Sequence, residues 1–167
     1  MLAITLFLAA VLALSAAHKL QAPDRMIMAT GRLAGVTGPS ALILTVLAGA
    51  VEAIAALCLV LPGATVIGAA TAAGLWAVYA GALWRRRGAV LDCGCDLVAR
   101  PRAVGTAQVA RPLVLAVLAL ASIVVPQFVV QDDGMLAIDV LAACGGLALY
   151  LAATEILAIP YPRWRTS

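Results

Sequence analysis

Five long apolar runs divide this chain. They extend from about Met1 to His18, Pro39 to Leu61, Ala64 to Trp84, Pro112 to Val130 and Met135 to Ile159. A helix needs roughly 20 apolar residues to cross hydrocarbon, and each run is near that length. A crossing segment must satisfy its own backbone hydrogen bonds, so all five are predicted to be helices. The pattern therefore predicts an all-α, polytopic transmembrane helical bundle of five spans, with a four-helix core plus one. A single integral membrane domain, residues 1–167, accounts for the chain. Around the first run, Leu14-Ser15-Ala16-Ala17 would pass as a signal-peptide cleavage site. No positive n-region precedes it and the apolar run is long, so it reads as a span.

The connections are of two kinds. Pro62-Gly63 and Gln131-Asp132-Asp133-Gly134 read as tight turns and carry no Lys or Arg. The other two connections are longer and basic. Lys19, Arg25 and Arg32 lie between spans one and two. Arg85, Arg86, Arg87, Arg100, Arg102 and Arg111 lie between spans three and four, and Arg163 and Arg165 lie in the tail. That accounts for all 11 basic residues, and five spans put them all on one side. The positive-inside rule then predicts an outside N-terminus and a cytoplasmic C-terminus in a bacterial-type inner membrane. Trp84, Tyr161 and Trp164 fall near this boundary, as an aromatic belt would. From Pro23 to Gly35, apolar and charged residues are mixed. Pro23 suits the first turn of a short helix lying in the membrane interface. In span three, Ala70, Gly74, Ala77 and Gly81 recur at a spacing that permits close helix contact.

Composition agrees with this pattern. The chain has 167 residues, 65% of them hydrophobic and 11% charged, against about 25% charged in soluble domains. Its net charge of +3 records membrane orientation and gives no reason to infer a nucleic-acid partner; the partner it implies is the lipid bilayer.

The clearest candidate chemistry is Leu91-Asp92-Cys93-Gly94-Cys95-Asp96, in the second basic connection. Two thiols one glycine apart can act together. They could cycle between dithiol and disulfide, and so short a ring would be strained and oxidising. They could bind a soft metal ion, or receive a disulfide from a partner. They could also be a turn that happens to contain two cysteines. Asp92 and Asp96 would raise the thiol pKa values and the nearby arginines would lower them. Glu52, midway along span two, is the second candidate. An intramembrane carboxyl is costly; it could support proton transfer, meet a quinone-like head group, or simply bond another helix. Trp76 and Tyr79 on span three are its candidate neighbours and candidate cofactor-binding residues, and ordinary packing is the alternative. Cys58 and Cys144 read as packing residues or as a second redox pair. His18 reads as interfacial, and Asp139 and Glu155 as solvated or structural.

The order of these features resembles the methylamine utilisation protein MauE family, within a wider MauE/DoxX group. The resemblance rests on His18-Lys19-Leu20 closing span one, Glu52 in span two, Pro62-Gly63, and Gly88 followed by Leu91-Asp92-Cys93-Gly94-Cys95. It covers about residues 2–130 and leaves an additional C-terminal helix, 135–159. It implies a redox-associated membrane bundle that assists disulfide formation or maturation of a partner. That partner would be a thioredoxin-like or maturing redox protein, with quinone as an electron partner by analogy. Carried over, Cys93 and Cys95 match the motif cysteines and Glu52 the acidic residue. The family's Phe-Gly after the motif is replaced by Asp96-Leu97, and its Arg-Asn by Arg111-Pro112. Soft-metal binding or transport, and a non-catalytic subunit or assembly role, are the alternative functions. The charge map puts Cys93 and Cys95 in the cytoplasm, whereas exported proteins are oxidised outside it.

Overall fold

The computed structural model describes residues 2–91, 102–124 and 133–156. Six helices are present among them: α1 (Leu2–Gln21), α2 (Pro23–Ala34), α3 (Pro39–Val60), α4 (Thr65–Arg85), α5 (Thr106–Val124) and α6 (Asp133–Ile156). All but α2 are long and apolar enough to cross a membrane. The protein is accordingly a multi-pass membrane protein.

The core gathers α1, α3, α4 and α5 around Leu8, Leu12, Leu59 and Trp76, with alanines such as Ala55, Ala72 and Ala119 between them. Lipid is as apolar as leucine, so such helices are held by close packing rather than by escape from water. Small residues make that approach possible. Gly68 is the tightest case: a Cβ there would lie 2.6 Å from the backbone nitrogen of Leu59. The stripe named from spacing does not do this work. Ala70, Gly74, Ala77 and Gly81 are exposed, and the packed face of α4 is Gly68, Ala69, Ala72, Ala73, Trp76, Ala80 and Leu83. Repeats of three and four occur on both faces of an alanine-rich helix, so spacing alone does not choose between them.

α6 is the added helix. Its backbone approaches α1 alone among the described helices, where Phe7 meets Tyr150 edge to face at 6.1 Å. Its other side, including Ile138, Leu141 and Leu149, is exposed.

α1 and α2 form a broken rod. Pro23 has no N–H to continue α1, and Ala22 takes a non-helical conformation at φ −134° and ψ 62°. Gly35, left-handed at φ 78°, ends α2 and returns its N–H to the Gly31 carbonyl, a conformation open to glycine. The expected helix over Pro23–Gly35 therefore exists. It packs on α3 through Met26, Ala29 and Gly31.

Beyond α4, Gly88 donates to Val104 and Val104 to Ala89, both at 2.9 Å. Two short strands, β1 (Val90–Leu91) and β2 (Arg102–Ala103), continue this pairing antiparallel, Val90 opposite Ala103 and Leu91 opposite Arg102. Val104 packs with Leu83 and Val109, which docks the base of the connection on the bundle. α5 starts at Thr106 rather than Pro112. Pro112 is buried within the helix, and the added turn is held because Val109 packs against Leu83.

A candidate polar site inside the bundle

Glu52 is fully buried, and four donor contacts from three side chains surround it. Its Oε1 accepts from the Tyr79 hydroxyl at 2.7 Å, from Lys19 Nζ at 2.8 Å and from Ser15 Oγ at 3.0 Å; its Oε2 accepts from Lys19 at 2.7 Å. Lys19 also donates to Ser15 Oγ at 3.1 Å, and its ammonium stands 5.9 Å from the centre of the Tyr79 ring. Every one of these contacts is made by a donor, as the two acceptor oxygens of a carboxylate require.

Local structure brings these groups together. Ser15 and Lys19 are four residues apart on α1 and share a face. Gly49 lies one turn before Glu52 on α3, where even a Cβ would come within 3.4 Å of Lys19 Cδ. The absent side chain gives the lysine stem its path along α3. Tyr79 reaches in from α4. Three helices thus meet at one carboxylate. Lys19 belongs to α1 and is spent inside the bundle, so it is not one of the free boundary charges with which it was grouped.

The other candidates fall as follows. Tyr79 is a direct partner of Glu52, whereas Trp76 packs in the apolar core. His18 Nε2 faces Arg25 Nη1 at 3.3 Å across the α1–α2 break. Cys58 and Cys144 are free thiols, on α3 and α6, whose backbones do not approach each other. Asp139 is half-buried and Glu155 exposed. Trp84 is exposed, with the Arg87 guanidinium 4.3 Å over its ring. Cys93, Cys95, Tyr161, Trp164, Gln131 and Asp132 lie outside the described residues, and Asp133 and Gly134 of the expected turn begin α6.

The arrangement is a closed clamp. The three ammonium hydrogens have three acceptors in the two Glu52 oxygens and Ser15 Oγ, and the Tyr79 hydroxyl hydrogen goes to Glu52. Each hydrogen of the Lys19 ammonium and the Tyr79 hydroxyl thus has an acceptor within the cluster. Sequence reasoning missed Lys19 and Ser15; their four-residue spacing beside a lone membrane carboxyl was the available signal.

Comparison with known proteins gives one result. The family model described as methylamine utilisation protein MauE matches residues 1–125, a span that includes Ser15, Lys19, Glu52, Tyr79, Cys93 and Cys95 and leaves out α6. No curated protein and no solved structure matches the chain.

Proposed function

The chain belongs to the MauE family, and from that premise we propose that it is a membrane thiol–disulfide protein whose Cys93 and Cys95 maintain or mature a redox partner. The family name attaches it to methylamine utilisation, and that setting is part of the proposal. In the exchange, a partner thiolate attacks one sulfur of an oxidised Cys93–Cys95 pair. The partner's second thiol then resolves the mixed disulfide. Two electrons and two protons pass to the pair, leaving a dithiol here and a disulfide on the partner.

The observation that best supports this reading is the strand pairing of Val90 with Ala103 and Leu91 with Arg102. It anchors the backbone of Leu91 and Arg102, the residues that flank the segment carrying Cys93 and Cys95 in the sequence. The Lys19–Glu52 clamp ties α1, α3 and α4 into one scaffold. Applied to Arg25, Arg32 and Arg85 to Arg87, the positive-inside rule gives a cytoplasmic Cys93/Cys95 segment. The partner then presents its thiols at that face of the inner membrane.

Thiol trapping in cells followed by mass spectrometry tests the reading. Cys93 and Cys95 are expected in two states, dithiol and intramolecular disulfide, shifting with the redox state of the medium. A pair that stays reduced under every condition refutes it.

A further inference from the structure

A cleft of about 450 Å³ opens between α2, the turn after it, and the start of α3, within the roughly 300–1,000 Å³ range of ligand pockets. Its walls are mixed. Ile27, Met28 and Val36 supply apolar surface, and Arg32 and Arg86 supply charge. Arg86 arrives from the C-terminal end of α4. Its Nε donates to the Leu33 carbonyl at 3.3 Å. Its Nη2 occupies the space a side chain at Gly35 would need, since a Cβ there would lie 2.3 Å away. That one bond leaves both Nη groups of Arg86 without a protein acceptor among the described residues, and Arg32 is exposed.

No described acid is placed to neutralise the pair. Glu52 is committed to Lys19. Asp139 and Glu155 are on α6, away from α2 and α3. Asp24 is in the first turn of α2, opposite the end that carries Arg32. Two guanidiniums sharing one cleft repel each other unless an anion comes between them, and the planar fork of arginine suits phosphate oxygens. Gly38, which caps α3, and Ala41 in its first turn also border the cleft, and the helix adds the positive end of its dipole. The apolar walls and the exposed Leu42 and Ile43 of α3 specify the rest of the molecule: the anion carries hydrocarbon.

We propose that this cleft binds the head group of an anionic phospholipid, its phosphate between Arg32 and Arg86 and its acyl chains along α2 and the N-terminal half of α3. The lipid ties α2 to the end of α4, and so to the base of the β1–β2 hairpin.

The test uses the full chain purified in a neutral detergent. Binding is read by native mass spectrometry and by the shift of the thermal unfolding midpoint. The probes are phosphatidylglycerol, phosphatidylcholine with the same acyl chains, and inorganic phosphate. Phosphatidylglycerol is expected to bind and stabilise, and the other two to do neither. Arg32→Gln and Arg86→Gln should each weaken binding about fivefold to tenfold, while Arg85→Gln and Arg87→Gln, at the same end but outside the cleft, leave it unchanged. Because Arg86 also holds Leu33, Arg32→Gln is decisive if Arg86→Gln does not fold. Equal weakening in all four variants would mean diffuse charge attraction and overturn the proposal. Full stabilisation by inorganic phosphate, or by phosphatidylcholine, would overturn it as well.

Discussion

Lys19 holds both carboxylate oxygens of Glu52, at 2.8 and 2.7 Å, across the boundary between α1 and α3. The Glu52 side chain has no exposure and that of Lys19 has 14%. Either charge alone in an apolar bundle would be costly, and each makes the other tolerable. The pair is therefore weak evidence of added stability in itself, but removing one member leaves the other uncompensated.

Lys19→Ala or Glu52→Ala should accordingly destabilise the bundle strongly, by about 3–5 kcal/mol if losses at buried pairs in soluble proteins carry over. Replacing both together, as Lys19→Met with Glu52→Leu, should recover most of that loss. Unfolding in mixed micelles measures all three variants. A double variant as unstable as the worse single would show that the two residues are not each other's main partner.

The hydroxyl contacts should matter less. Tyr79→Phe removes one donor from Glu52 but leaves Lys19 and Ser15 in place. Bonds between membrane helices are worth about 1–2 kcal/mol in model peptides and about 0.6 on average in double-mutant cycles. The expected loss lies in that range, and Ser15→Ala should be similar. The same micelle unfolding experiment checks the order: Glu52→Ala is the most damaging, and Tyr79→Phe and Ser15→Ala are mild.

Much of the fold was legible because the membrane imposes one rule on every span. Length and hydropathy located the five crossing helices, and Pro23 with Gly35 bounded α2. The departures share a cause, which is that packing partners distant in sequence decide local outcomes. α1 runs on to Gln21, just before the break at Ala22 and Pro23, and so carries Lys19 on the bundle, where it finds Glu52. α5 begins before Pro112 because Val109 finds Leu83. The same limit applied at the site. Glu52 stood out by its cost in hydrocarbon, and Tyr79 was named as a neighbour. Lys19, next to His18 at the end of an apolar run, looked like a boundary charge, and only the register between α1 and α3 distinguishes the two roles.

Two glycines of α4 should behave oppositely. Gly68 faces the Cys58–Leu59 backbone with no room for a Cβ, whereas Gly74 has nothing within 4 Å. Gly68→Ala should push α3 and α4 apart and destabilise by about 1–3 kcal/mol, as overpacking does. Gly74→Ala should be neutral or stabilising by up to about 1 kcal/mol, from helix propensity alone. Thermal midpoints of the two variants, compared directly, decide the matter. Equal destabilisation would mean that the outward face of α4 is packed after all.

The orientation can be read at two short connections. Ala64 follows the left-handed Gly63 in the turn between α3 and α4, and Ala89 lies just past the opposite end of α4, beside Arg85, Arg86 and Arg87. With Lys19 committed to Glu52, the orienting charge at that end rests on the arginines. Single cysteines, Ala64→Cys or Ala89→Cys, should be introduced into a variant whose four native cysteines are serines. In intact cells a membrane-impermeant maleimide should label the cysteine at 64, and label that at 89 only after permeabilisation. Serine substitution removes Cys93 and Cys95, so the result reports sidedness without their redox chemistry. The reverse pattern would put the Cys93/Cys95 segment outside, and would move the proposed partner to that face with it.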